Sequence, residues 1–353
     1  MMPGTLVLCM DSATDVCSVA AVGVLGKDAG RLLAERMEGG ERLRAAQLLL
    51  PMASAVLAEV SAEAEDIAAV VVGTGPGTFT GVRIAVATAR ALALSLEVPV
   101  FGVTSLAALA SEAAAHAAGD QAVRAAQVAA VSADTAAAEV DPAAAEVDPA
   151  AAAGTVDLSE AEIVDHSERQ GSLLVPIVDA RRGQVFAAVF ESRRPRGTCG
   201  AGDAPCGLAE EGPVWQKVGP LRAIDSADLV EWAAGQADGR PLCIAGRAEL
   251  VPEPIRTREG VRFAPIEVRA GALVEGQELL GPSVSRGCGC GEGPSGEDFL
   301  GPTLLAVLAG MVTGEKPEAA APGLLGSPEC VRPLYIRPPD ADLHIQKMKQ
   351  PFA

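Results

Sequence analysis

The order of apolar segments predicts an α/β chain built from two βββαβα-type halves. Three observations carry that expectation. A run of three short strands opens the chain, a strand–helix–strand unit follows it, and a hairpin, a helix and a strand return beyond a low-complexity stretch.

Residues 5–11 (TLVLCMD) are continuously apolar up to Asp11, as a buried strand requires. The short polar side chains of Ser12, Thr14 and Asp15 then favour a turn. Residues 18–25 (SVAAVGVL) and 32–38 (LLAERME) read as the second and third strands of an antiparallel meander. Over residues 44–60, Leu48, Met52, Ala55, Val56 and Val60 recur at helical spacing. Residues 68–73 (AAVVVG) form a buried strand that enters a Gly-rich loop. A helix from Val82 to about Leu96, with Thr80 as its N-cap, and a strand over 98–103 complete a right-handed crossover. Residues 105–118 read as an Ala-rich helix.

Between 119 and 170 the character changes. The sequence AAAEVDP occurs twice in succession, each copy ended by a proline that stops a continuous helix, so the stretch reads as a low-complexity, disordered insertion. Residues 173–180 and 184–191 form a hairpin about Arg181, Arg182 and Gly183. A second insertion spans 193–213, a helix covers 225–234, a buried strand covers 241–246, and a third insertion lies near 281–296. A helix over 301–314, with Pro302 in its first turn, and an extended tail over 331–338 close the chain. The implied division is an N-terminal subdomain over 1–118, an insertion over 119–171 and a C-terminal subdomain over 172–353. Two such halves facing each other make an actin-like, sugar-kinase-like architecture.

Composition narrows the function. The chain of 353 residues is 49% hydrophobic but only 3% aromatic, so its core is built from Ala, Val and Leu. A formal net charge of −18 leaves too little Lys and Arg for an extended nucleic-acid surface, so a role near RNA requires a basic partner. The apolar run 85–96 contains Arg90 and is too short to span a bilayer, and no basic residue precedes the first apolar stretch. Cytoplasmic location with no membrane attachment is expected. Of eight cysteines, Cys9, Cys17 and Cys243 lie in apolar segments and read as small core residues. Cys199, Cys206, Cys288 and Cys290 lie in Gly/Pro-rich loops at spacings that do not match zinc pairs, and Cys330 stands alone. His116, His166 and His344 never pair at ligand spacing, so neither a metal nor a catalytic residue is expected.

Two loops and one helix pair remain as candidate sites. Asp11 and Thr14, at a strand–turn–strand junction, suit either a metal–phosphate contact or an ordinary Asx-type turn, and alone they favour the turn. Gly75, Gly77, Thr78 and Gly81, ahead of a helix N-terminus, suit either an anion or a tight strand-to-helix turn, since the Lys-Ser/Thr of a P-loop is absent. The helices over 44–60 and 82–96 are apolar around much of their circumference. They form a protein interface or simply cover the sheet.

The ordered motifs resemble a known family. Residues 75–84 (GPGTFTGVRI), 10–14 (MDSAT), 48–52 (LLLPM), 103–110 (VTSLAALA), 179–186 (DARRGQVF) and 333–337 (PLYIR) are similar, in order and spacing, to the signatures of the TsaB (YeaZ) family. The similarity is close over 5–118 and good over 172–192, and it returns near the C-terminus. It implies an actin-like (ASKHA, ribonuclease H-like) fold and a non-catalytic scaffold role. The partners it implies are the catalytic paralogue TsaD and the ATPase TsaE. Their complex transfers threonylcarbamoyl from its adenylate to the adenosine beside the anticodon of ANN-decoding tRNAs. The two helices would then meet TsaD or a second copy of the chain, through Leu48, Met52, Ala55, Arg83, Val86, Ala89 and Arg90, and a charge at Ala85 or Ala89 would break that contact. tRNA is touched only indirectly, and no cofactor is held beyond ATP or ADP at the partner interface. The chain departs from the family at Ala45-Ala46-Gln47, where members often carry His-Ser-Glu, and it lacks the His-x-x-x-His metal pair of TsaD. The alternative is an ASKHA-type ATPase or phosphotransferase using Asp11 and the 75–81 loop.

Overall fold

The structure, a computed structural model, describes residues 5–40, 45–117, 172–193, 214–256, 260–276 and 331–336. The expected helix over 301–314, the three insertions, and Cys199, Cys206, Cys288, Cys290, Cys330, His166 and His344 lie outside the described residues.

In the first half, β1 (Leu6–Asp11), β2 (Val16–Gly23) and β3 (Leu32–Gly39) form the expected antiparallel meander. Helix α1 (Ala45–Glu59) leads to β4 (Ile67–Gly73), α2 (Phe79–Leu96) leads to β5 (Val100–Val103), and α3 (Ser105–Ala117) follows. Strand β4 runs parallel to both β1 and β5. The second half has β6 (Leu173–Arg181), β7 (Gln184–Arg193), β8 (Val214–Asp225), α4 (Leu229–Ala237), β9 (Leu242–Gly246), a short α5 (Glu253–Arg256), β10 (Val261–Pro265) and a short α6 (Leu273–Gly276). The sheet orders are β3-β2-β1-β4-β5 and β10-β9-β6-β7-β8. Ranked within each half, both sheets have the same order, 3-2-1-4-5, with three antiparallel strands and two parallel ones. That duplication is the actin-like arrangement.

The period of two along the central strands sorts side chains into layers. Leu6, Leu8 and Met10 of β1 pack outward with Leu49, Met52 and Val56 of α1 and Val82, Ala85, Val86 and Ala89 of α2. Val7 and Cys9 point the other way, into a core shared with α3. In β6, Leu173, Val175 and Ile177 belong to the core that holds α4, while Leu174 and Val178 join the shared core. The layers therefore run α1/α2, first sheet, α3 with the 266–276 segment, second sheet, α4. The first nine residues of α3 are all buried, and six of them are alanine or serine, which allows the two sheets to approach.

A polar lock crosses the same layer. The Glu35 side chain, 1% exposed, accepts hydrogen bonds from Arg269 Nε (2.8 Å), Gly271 N (3.0 Å) and Ser18 Oγ (3.2 Å). Arg269 also reaches Glu112 of α3 at 3.7 Å. The C-terminal segment 331–336 returns to the first half, where Leu334 N donates to Thr74 O (2.8 Å) and Val331 is buried among first-half residues.

Two strands and two helix starts differ from the sequence reading. Strand β8 falls on 214–225, where no element was expected, and is an edge strand interrupted by Gly219, at φ +83°, and Pro220. Strand β10 is a five-residue, half-exposed edge strand ending in proline. Helix α4 starts at Leu229 rather than 225, since Asp225 still pairs with Gln184 in β7–β8. Helix α2 starts at Phe79 with Thr78, not Thr80, as its N-cap, which makes it 18 residues and long and apolar enough by composition to cross a membrane. It instead packs five residues into the chain's own core.

Removing the Glu35 carboxylate leaves the Arg269 guanidinium only its longer contact to Glu112 and the half-buried Gly271 N–H without its acceptor. Glu35→Ala is expected to cost about 3 kcal/mol in urea denaturation, more than Glu59→Ala at the exposed Arg36 pair.

Candidate functional site

The turn after β1 and the Gly-rich loop after β4 lie against each other. Asp11, 1% exposed, accepts from Ala13 N through Oδ1 (2.7 Å) and from Ser105 Oγ through Oδ2 (2.6 Å). Thr14 Oγ1 accepts from Val16 N (3.2 Å), a local turn contact. Thr78 N donates to Ala13 O (2.6 Å), Ser12 Oγ donates to Gly81 O (2.8 Å), and Ser105 N donates to Gly75 O (2.9 Å). A Cβ at Gly73 would lie 1.6 Å from Asp11 Oδ2, at Gly77 2.1 Å from Ala13 O, and at Gly81 2.0 Å from Ser12 O. Gly75 alone among these has positive φ, at +86°. The glycines thus serve close backbone contact, as the tight-turn reading of the loop expects.

Burial raises the Asp11 carboxyl above its ordinary value, against the lowering effect of its Ser105 and Ala13 hydrogen bonds. Burial likewise pushes the Cys17 and Cys243 thiols up to about 11 and raises Cys9 further. These three thiols are buried or half-buried and free, as small core residues should be. Among the described residues no group of three His, Cys, Asp or Glu side chains is placed to hold a metal.

A cleft of about 350 Å³ of empty space, part of it open to solvent, lies between the halves beside Thr14, Thr78 and Ile177. Its charges answer one another. Arg181 pairs with Asp179 at 3.2 Å, and Arg247 pairs with Asp15, with Glu267 (3.2 Å) and with Glu249 (3.4 Å). Burial is the main cause that raises the Glu267 carboxyl, and the Asp15 hydrogen bond is the main cause that raises Arg247. Both arginines that line the cleft are engaged by carboxylates.

The helix pair has a different character. Met52, Val86 and Ala89 are buried in the chain's own core, whereas Leu48, Ala55 and Arg90 are half-buried and Arg83 is exposed. The residues that face solvent include Leu50, half exposed, with Pro51 and Ser54 on α1, and Phe79, Arg83, Ala87 and Leu94 on α2. Leu94 is 72% exposed, and only a third of α2 is buried. At the start of α2, Arg83 Nε donates to Tyr335 Oη (2.7 Å) and its guanidinium carbon lies 3.6 Å from the Phe79 ring centroid. The Phe79 and Tyr335 rings are 5.3 Å apart. Sequence reasoning found Arg83 but not Tyr335 as its partner, nor Ser105 and Arg247. The separations of 252, 94 and 232 residues leave no local pattern to detect.

Comparison with known proteins follows the same line. The fold is that of an actin-like α/β protein. Residues 44–153, which include α1, the Gly-rich loop and α2, match the family model of TsaD, tRNA N6-adenosine threonylcarbamoyltransferase. The chain is similar in structure to YeaZ from Pseudomonas aeruginosa, with 23% identity, 76% of this chain and 88% of that one covered, and a TM-score of 0.44. It is also similar to an uncharacterized protein with similarity to peptidase YEAZ, from Pseudomonas aeruginosa, with 21% identity, 94% and 100% covered, and a TM-score of 0.47. No curated protein sequence matches the chain.

Two predictions follow from the loop. Gly77→Ala and Gly81→Ala are each expected to cost about 2–3 kcal/mol by denaturation, because backbone oxygens stand where the new Cβ would go. Asp11 takes up its proton at higher pH in the folded chain than in the unfolded one. The stability this contributes is fully present below the unfolded value, about 3.9, and is lost as pH rises through the folded value. Asp11→Asn, neutral at every pH, should therefore gain on the wild type as pH rises from 4 to 7. A difference that stays constant over that range would contradict the buried-carboxyl account.

Proposed function

We propose that the chain is a scaffold subunit of the machinery that forms threonylcarbamoyladenosine in tRNA, and that it docks on a TsaD-type transferase through the outer face of α1 and α2. One observation carries this reading: an 18-residue apolar helix, α2, that turns Phe79, Ala87 and Leu94 to solvent, with Leu94 72% exposed. The family-model match over 44–153 supports the biochemical setting. The net charge of −18 supports an indirect relation to tRNA, with the partner supplying the basic surface. In this reading the transferase performs the chemistry, a TsaE-type ATPase joins the complex in the cytoplasm, and any ATP or ADP sits at the partner interface.

The residues the sequence singled out on the helix pair divide between core and surface. Ala85 and Ala89 are fully buried, so a charge there tests folding and not association. Leu94→Glu and Ala87→Glu place the charge on the exposed stripe. Each should leave the melting temperature within a few degrees of wild type and weaken binding to the transferase of the same genome at least about tenfold by calorimetry. Unchanged affinity in both variants would refute the docking reading. The ATPase alternative requires turnover by the isolated chain that Asp11→Asn abolishes. The close turn-and-loop contact and the paired cleft arginines lead us to expect none.

A further inference from the structure

Two arginines of the second half reach carboxylates of the first, and they are tied in different ways. Arg269, which follows β10, spends its guanidinium on the first half. Its Nε donates to Glu35 (2.8 Å), and its Nη1 lies 3.7 Å from Glu112 of α3. The backbone beside it does the same, with Ala270 N donating to Ser18 Oγ (3.0 Å) and Gly271 N to Glu35 (3.0 Å). Parting the halves here would strip the buried Glu35 carboxylate of its guanidinium and its backbone donor together, which is costly.

Arg247, which follows β9, is divided. Its Nη1 donates across the cleft to Asp15, in the turn after β1. Its Nε faces two carboxylates of its own half, Glu267 at 3.2 Å and Glu249 at 3.4 Å. When the Asp15 contact breaks, the Nε side keeps its partners and no bare cation is left behind. Asp15 is partly exposed, so water replaces the guanidinium at little cost. The chain itself crosses between the halves on the other side of this contact. Ile266 N still donates to Gly246 O of the second half (3.2 Å), whereas Ala270 N is bound to the first.

We propose that Arg247 is a latch and the Glu35–Arg269 lock the fixed side of a hinge, so that the cleft opens at Asp15 by release of the Nη1 contact alone. Glu249 and Glu267 are the receivers that keep Arg247 neutralised in the open form, and they set how readily the latch lets go. Leu109 of α3 and Val178 of β6 line the cleft and belong to one apolar core, which opposes opening and keeps the open form a minority population. Opening brings solvent to Thr14 and Thr78, the hydroxyl-bearing residues of the cleft wall.

The test is hydrogen–deuterium exchange of the full chain, corrected for intrinsic rates, with melting temperatures measured alongside. Asp15→Asn should speed exchange at 12–17 and 247–250 about threefold, the size expected for a partly exposed pair. Residues 32–37 and 269–274 should keep their wild-type rates, and the melting temperature should stay within a few degrees. Glu249→Gln combined with Glu267→Gln should slow the same cleft amides about threefold, because an Arg247 without receivers holds Asp15 more tightly. Arg269→Gln should instead lower the melting temperature and speed exchange in both halves. An Asp15→Asn variant that leaves the cleft amides at the wild-type rate, or that speeds 269–274 by the same factor, would overturn the proposal. So would cleft exchange that fails to fall, relative to the rest of the chain, in the double glutamine variant, since carboxylates that only brace the fold loosen it when removed.

Discussion

Everything in this molecule is arranged around the burial of α3 between two sheets. A helix enclosed on all sides must present small side chains, and Ser105, Ala107, Ala108, Ala110 and Ser111 supply them. Larger residues would hold the sheets apart and open the cleft between the halves. With Ala in those places, Val7, Cys9 and Val103 of the first sheet share one core with Leu174, Val178 and Phe190 of the second. The Glu35–Arg269 lock spans the same layer, so apolar packing and ion pairing fix the same arrangement of the halves.

The chemistry available to the cleft follows from that closeness. Ser105, the first residue of α3, holds Asp11 through its hydroxyl and Gly75 through its backbone N–H, which draws the Gly-rich loop onto the turn after β1. Residues that could cradle a phosphate in an open actin-like cleft are here engaged with each other. Arg247 and Arg181 are likewise matched by Asp15, Glu267 and Asp179. The unsatisfied surface lies on the opposite side of the first sheet, where α2 exposes Phe79, Ala87 and Leu94. A docking function is consistent with a chain whose inner surfaces are spent on its own fold.

Much of this was legible in the sequence, and the reasons for the rest are specific. Central strands such as β1, β4 and β6 are buried on both faces and show as continuous apolar runs. The edge strands β8 and β10 lack that signal, because half-exposed positions, Gly219, Pro220 and Pro265 read as loop. The loop of Gly75, Gly77 and Gly81 was recognisable as a place of close approach, but which atoms approach depends on Ser12 and Ala13, far away in the chain. The helix pair was recognisable as apolar, yet its buried side was not. Where Ala, Leu and Val occupy nearly every position, periodicity does not distinguish Met52, Val86 and Ala89, which face the sheet, from Leu50, Ala87 and Leu94, which face solvent.

Hydrogen–deuterium exchange of the full chain, free and mixed with the TsaD-type transferase, tests the central claim most directly. The account predicts new protection on the two helices, 45–59 and 79–96, and on the returning segment 331–336, with the cleft at 14–15, 179–181 and 247–250 unchanged. Protection that appears in the cleft when ATP is added to the chain alone, with the helices unaltered by the transferase, would contradict it.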